Sequence, residues 1–177
     1  AQAGAQPTDA PIIRYDDRIH PQLGPAGMVA AQNSVSAEVG AEILEAGGNA
    51  VDAAVAVGFS LAVTLPRAGN LGGGGFMLIH DAASGSSVGI DYREMAPKRA
   101  SRDMYLDENG DVDRQRATFS HMASGVPGTV AGLYKAHQAF GRLPWKRVLQ
   151  PAIQQAREGV VISYDLAGLL SARQERM

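Results

Sequence analysis

Four consecutive glycines, Gly72 to Gly75, stand between an apolar helix and an apolar strand, and that order constrains the fold more than any other stretch of the 177 residues. Glycine lacks a Cβ, so such a run lets the backbone pass against another segment more closely than any other residue allows. Phosphate-binding loops are also glycine-rich, but they lie between a strand and the helix that follows it. A Walker loop further ends in Gly-Lys-Ser or Gly-Lys-Thr. Here Phe76 and a strand follow the glycines, so the run reads as close-packed scaffold that forms a wall of a site.

The helix before the glycines has a legible start. Asn49 is its N-cap, and Asp52 at the third position faces the free amide hydrogens of the first turn. From Ala53 to Val63 it is apolar on every side, which predicts a helix buried all round, and Pro66 helps to stop it. Upstream, Gly27 to Ala31 predicts a short buried strand. Ser34 reads as the cap of a helix from Val35 to Ala46, with Val39, Ile43 and Leu44 on one face and Glu38, Glu42 and Glu45 on the other. Gly47-Gly48 ends that helix.

Downstream, Phe76 to His80 and Val88 to Arg93 flank a turn and predict a β-hairpin. Residues 97 to 123 are polar and irregular. Asp107 to Asp111 form an exposed turn that lacks the spacing of an EF-hand loop. Helices follow from Thr129 to Phe140, from Trp145 to Glu158, and from near Ser163, the last still running at Met177 without a stop signal. The chain therefore reads as a piece of a longer polypeptide. Residues 1–26, with prolines at 7, 11, 21 and 25, read as a flexible arm, and residues 27–177 as an incomplete α+β domain.

Composition excludes several functions. Sixteen basic against 18 acidic residues leave a net charge of -2, so no basic excess exists to neutralise nucleic-acid phosphates. With no cysteine there is no disulfide, thiolate metal site or cysteine nucleophile. The histidines, His20, His80, His121 and His137, lack ligand spacing, so no metal is expected. The longest apolar stretch, Ala50 to Leu65, carries Asp52 and is shorter than the ~20 residues of a membrane span. The small, polar start, Ala1 to Pro7, reads as what a signal peptidase leaves or simply as a flexible tail.

Asp91-Tyr92-Arg93-Glu94 ends the second strand of the hairpin. An arginine there, beside a glycine loop, has the geometry to hold a carboxylate by two parallel hydrogen bonds. The competing reading is an ion pair with Asp91 or Glu94. No G-x-S-x-G elbow is present, and the adjacent Ser120-His121 does not by itself make a nucleophile and base.

Five stretches taken together resemble the large subunit of γ-glutamyltranspeptidases: Gly-Met-Val-Ala at 27–30, Gly-Gly-Asn-Ala-Val-Asp-Ala-Ala-Val-Ala at 47–56, Gly-Asn-Leu-Gly-Gly-Gly-Gly-Phe-Met at 69–77, Asp-Tyr-Arg-Glu-Met-Ala-Pro at 91–97 and Ser-Gly-Val-Pro-Gly-Thr-Val-Ala-Gly at 124–132. The resemblance covers about residues 27–160. It implies the N-terminal-nucleophile hydrolase fold, an αββα sandwich of which this chain is only a part. It also implies a precursor that cuts itself into two subunits, with the new N-terminal Thr of the small subunit as nucleophile.

The implied reaction cleaves the γ-glutamyl amide of glutathione and related compounds and passes the acyl group to water, amino acids or peptides. No cofactor or metal is implied. The implied partners are the small catalytic subunit, the rest of the large subunit and a small γ-glutamyl substrate, in the periplasm or outside the cell. Arg93 is the residue implied to bind the substrate's α-carboxylate, with Asn70, Gly72, Gly73, Gly74, Gly75 and Glu94 supporting it. No catalytic residue is expected in this chain, because Thr118-Phe119-Ser120-His121 only superficially echoes a small-subunit start. Two alternatives remain: a cephalosporin or glutaryl-7-aminocephalosporanic acid acylase on the same scaffold, and a non-catalytic scaffold subunit.

Overall fold

The computed structural model describes residues 23–174. Most of the expected arm, residues 1–22, and the last three residues lie outside that range, and with them the expectation that the final helix still runs at Met177. Helix α1 spans Ser34–Glu45 and α2 spans Ala50–Thr64. They are followed by strands β1 (Phe76–Asp81) and β2 (Ser86–Asp91), then α3 (Arg114–Phe119), α4 (Thr129–Phe140), α5 (Trp145–Glu158) and α6 (Tyr164–Arg173). Helix α2 packs against α1, α4 and α5, and α4 also touches β2, so a layer of helices covers one face of a hairpin.

Helix α2 is the organising element. The Asn49 side chain accepts the amide hydrogens of Val51 and Asp52, and Asp52 accepts that of Asn49 at 3.0 Å, which completes a capping box. Val51, Ala53, Val55, Ala56 and Phe59 are buried together with Val39, Ile43, Leu133, Ala136, Val148 and Ala152 in one core. Burying a valine such as Val55 or Val148 completely stabilises the fold by roughly 1.5–3 kcal/mol. Small residues set the spacing: a Cβ on Gly40 would meet Val29 Cγ1 at 2.7 Å and Val57 Cγ2 at 2.8 Å. The close approach of α1 and α2 also buries three hydroxyls. Ser36 bonds both Ser60 and Thr64 at 2.8 Å, and Ser60 donates to Gln155 on α5 at 2.8 Å. Trp145, at the start of α5, meets Phe59 and Tyr134 edge-on, with centroids 5.6 and 5.1 Å away.

Four expectations change. The cap of α1 is Asn33, whose side chain accepts the Ser36 amide hydrogen at 3.2 Å, so Ser34 is already helical. Residues 27–31 form no strand, since they pair with no other segment among the described residues, although Val29 does reach the core. Helix α2 is not buried all round: Ala54 is exposed, and with Val57, Gly58 and Leu61 it borders an apolar hollow of about 600 Å³. The irregular stretch at 97–123 contains α3, capped by Asp113, whose carboxylate accepts the Arg116 amide hydrogen at 3.0 Å.

The hairpin pairs Phe76 with Asp91 through Asp81 with Ser86, antiparallel. Its residues alternate as a strand must. Met77 and Ile79 pack on the helical core with Ile90, while Phe76 and Leu78 point away and are 65% and 80% exposed. A two-stranded sheet that leaves such apolar side chains bare on one face is marginal unless a further layer covers it.

Candidate functional site

Strand β2 ends at Asp91, and the backbone pairing continues for one more residue, with Tyr92 N–H donating to Gly75 O at 3.0 Å. Beyond it the chain turns. Arg93 N–H bonds the Asp91 carboxylate at 3.0 Å, and Met95 pairs with Val126 in an isolated antiparallel bridge. Because the strand does not persist, Arg93 and Glu94 do not take opposite faces. Arg93 Nη2 donates to Glu94 Oε1 at 2.9 Å.

The glycines explain how the Arg93 backbone is held. A Cβ on Gly74 would collide with Glu94 N and approach Arg93 Cα to 2.6 Å. From the other side, a Cβ on Gly128 would collide with Tyr92 O and reach Arg93 O at 3.2 Å. The peptide carrying Arg93 is therefore clamped between two glycines 54 residues apart in sequence. The Tyr92 ring fills the slot left by Gly75 and Gly132, and its burial raises the phenol's pKa above its ordinary value. Gly73 adds a third tie, because its carbonyl accepts the amide hydrogens of Gly128 at 2.7 Å and Thr129 at 3.1 Å.

Asn70 closes the loop. Its Oδ1 accepts the Gly73 amide hydrogen at 2.8 Å and the Thr129 hydroxyl at 2.7 Å, while its Nδ2 donates to Ala68 O at 3.2 Å. So Asn70, Gly73, Gly74, Gly75, Arg93 and Glu94 lie together. Gly72 does not join them: a Cβ there would meet nothing within 4 Å, and the residue is exposed. Tyr92, Gly128, Thr129 and Gly132 belong to the same cluster without having been singled out as site residues. Gly128 and Gly132 are four residues apart, the spacing that places both on one face at the start of α4. That spacing was the available signal.

The guanidinium itself is presented outward. Its side chain is 59% exposed and lies 5.9 Å over the Phe76 ring. Glu94, by its hydrogen bond and its charge, raises the Arg93 pKa further, and the same hydrogen bond lowers that of Glu94. The pair is thus charged on both sides at neutral pH. Glu94 takes one of the five N–H donors and leaves a fork able to receive a planar carboxylate. The ion-pair reading of Arg93 is realised in its contact with Glu94, and the rest of the guanidinium stays exposed. Two hollows of about 410 and 400 Å³ flank this segment, one lined by Tyr92, Arg93 and Lys135, the other by Glu94, Met104 and Tyr105.

The glycines give a paired test. Gly74→Ala should destabilise the fold by about 1–3 kcal/mol, since backbone atoms of Arg93 and Glu94 must move, whereas Gly72→Ala should leave it unchanged. Thermal melts of the two variants in parallel check this, and equal midpoints would count against the clamp.

The family model described as Gamma-glutamyltranspeptidase matches residues 36–177. A glutathione hydrolase proenzyme from Escherichia coli (strain K12) is 51% identical over 161 residues, which is 89% of this chain and 28% of that protein. The chain therefore spans under a third of that curated relative. The crystal structure of Helicobacter pylori gamma-glutamyltranspeptidase superimposes with a TM-score of 0.84 at 41% identity, over 89% of this chain and 45% of that one. A cephalosporin acylase from Bacillus halodurans is more distant, with a TM-score of 0.69 at 25% identity, over 93% of this chain and 31% of that one. The helical layer on a hairpin is thus part of the N-terminal-nucleophile hydrolase sandwich, as the resemblance implied.

Proposed function

The chain belongs to the γ-glutamyltranspeptidase family, and from that premise we propose that it is the N-terminal part of the large subunit of an enzyme that cleaves the γ-glutamyl amide of glutathione and related compounds. Residues 27–177 are then one incomplete domain. The remaining large subunit and a small subunit cut from the same precursor complete it. The small subunit supplies an N-terminal Thr whose own α-amine serves as base. The Thr hydroxyl attacks the γ-carbonyl, the amine leaves with a proton, and water or an amino acid or peptide amine then takes the acyl group.

Arg93 holds the α-carboxylate of the γ-glutamyl group in this reading. The observation that carries it is the clamped Arg93 backbone with an outward guanidinium, which meets the need for a rigid base under a charged fork. The bare Phe76 and Leu78 face supports the completion of the sandwich by further polypeptide, since it leaves apolar surface for a second sheet. The acyl transfer requires no cofactor or metal. No helix among the described residues is long and apolar enough to cross a membrane. The placement in the periplasm or outside the cell rests on the family alone.

The test uses the full-length, processed protein, assayed side by side on γ-glutamyl-p-nitroanilide and glutaryl-7-aminocephalosporanic acid. Turnover of the first is expected. Cleavage of only the second would replace this reading with the acylase one, and a partner chain that does not begin with Thr would leave a scaffold subunit.

A further inference from the structure

We propose that Asn70 and Thr129 form a latch that positions Arg93, and so act on substrate binding without touching substrate. The inference rests on the assignment of Arg93 to the substrate carboxylate. Asn70 Oδ1 receives two donors, the Gly73 N–H at 2.8 Å from its own loop and the Thr129 O–H at 2.7 Å from the first turn of α4. The Asn70 amide cannot turn freely, because Nδ2 is tied to Ala68 O at 3.2 Å. Thr129 is buried at 8% exposure, so its hydroxyl has little water to fall back on.

The latch joins the two walls of the clamp. Gly74, next to the latched Gly73, forms one wall against the Arg93 and Glu94 backbone. Gly128, next to the latched Thr129, forms the other. The Gly73 carbonyl accepts the Gly128 and Thr129 amide hydrogens at 2.7 and 3.1 Å, so the walls are also tied through backbone. Those backbone bonds fix that the walls meet. The Asn70–Thr129 side-chain bond fixes the angle at which the glycine loop leans on Arg93. A planar two-point contact tolerates displacement of only a fraction of an ångström, so a loosened wall weakens carboxylate binding before it disturbs the reacting centre. Asn70 and Thr129 are thus positioning residues for Arg93.

The experiment compares Thr129→Val, which keeps the shape and removes the hydroxyl, with Thr129→Ser, which keeps the hydroxyl. Each is made in the full-length, processed protein. Thr129→Val should raise KM for γ-glutamyl-p-nitroanilide about five- to tenfold with kcat altered less than about twofold. Thr129→Ser should restore KM to within about twofold. For 4-aminobutyryl-p-nitroanilide, which lacks the α-carboxylate, Thr129→Val should change nothing, since Arg93 has no carboxylate to hold. In combination with Arg93→Ala, Thr129→Val should add no further loss.

An equal KM rise on both substrates, or full additivity with Arg93→Ala, overturns the latch and leaves Thr129 a general stability residue. A normal KM in Thr129→Val overturns it as well. If Thr129→Val does not accumulate, Thr129→Ala and Asn70→Asp, which keeps the acceptor oxygens, are read by the same two-substrate comparison. Failure of the underlying assignment looks different: Arg93→Ala itself then leaves KM unchanged.

Discussion

Arg93→Ala in the full-length, processed protein should raise KM for γ-glutamyl-p-nitroanilide on the order of 100- to 1,000-fold, the usual cost of removing one partner of a hydrogen-bonded charge pair. Arg93 is 59% exposed, and its contacts within the chain are an ion pair with its sequence neighbour Glu94 and the face of Phe76. Exposed pairs of that kind add little to folding. The thermal midpoint of Arg93→Ala should therefore match that of the unaltered protein. A loss confined to KM, with stability intact, is the mark of a residue held for a ligand. Arg93→Lys should recover only a small part, because an ammonium is a point charge and cannot copy a planar fork. Steady-state kinetics on the two variants check both statements, and an unchanged KM would remove Arg93 from the site.

Glu94 offers a control on the same contact. Its carboxylate holds one guanidinium nitrogen, and the hydrogen bond lowers its own pKa. A carboxylate with a depressed pKa contributes above its ordinary pKa, and its contribution fades as pH falls through the lowered value. Orientation of Arg93 by Glu94 is therefore constant across neutral pH and is lost only in acid.

The elements were legible in the sequence where a local signal sets them. The hairpin, α4, α5 and the Asn49 cap of α2 each carry a cap, a turn or a period that acts over a few residues. The misread start of α1 turned on two adjacent residues able to cap, and the side chain of Asn33 won. Residues 27–31 have the composition of a strand, but a strand exists only through pairing, which no run of five residues can announce. In the site, Arg93 was legible through its neighbours in sequence and the resemblance they carry. Gly128 and Gly132 offered only their four-residue spacing and Thr129 no local signal, because their meaning arises from contacts with Asn70 and Tyr92 across the fold; Asn70 and Thr129 are 59 residues apart. The glycine run reads as close-packed, and three of its four members are, since Gly72 faces open space.

Asp52→Ala should be the most damaging single change to stability, on the order of 3–5 kcal/mol, because it strands donors that surround a fully buried carboxylate. Asp52 accepts the amide hydrogens of Asn49 at 3.0 Å, Arg142 at 3.0 and 3.2 Å, and Leu143 at 3.3 Å, and His137 Nε2 stands 3.6 Å away. It thus caps α2 and also ties down the turn between α4 and α5. With alanine there, all three amides lose the acceptor that Asp52 supplies at once. Asp52→Asn keeps one acceptor oxygen but faces an NH₂ toward donors, so its cost should be smaller and still clear. Urea unfolding of both variants measures the order, and a cost below about 1 kcal/mol for Asp52→Ala would show that the turn finds other partners. Catalysis separates this residue from Arg93. The turn lies past the C-terminus of α4, about 18 Å of helix from Thr129 and Gly128 at its start. The fraction of Asp52→Ala that folds should therefore bind γ-glutamyl substrate with its KM unchanged, the reverse of the outcome for Arg93→Ala.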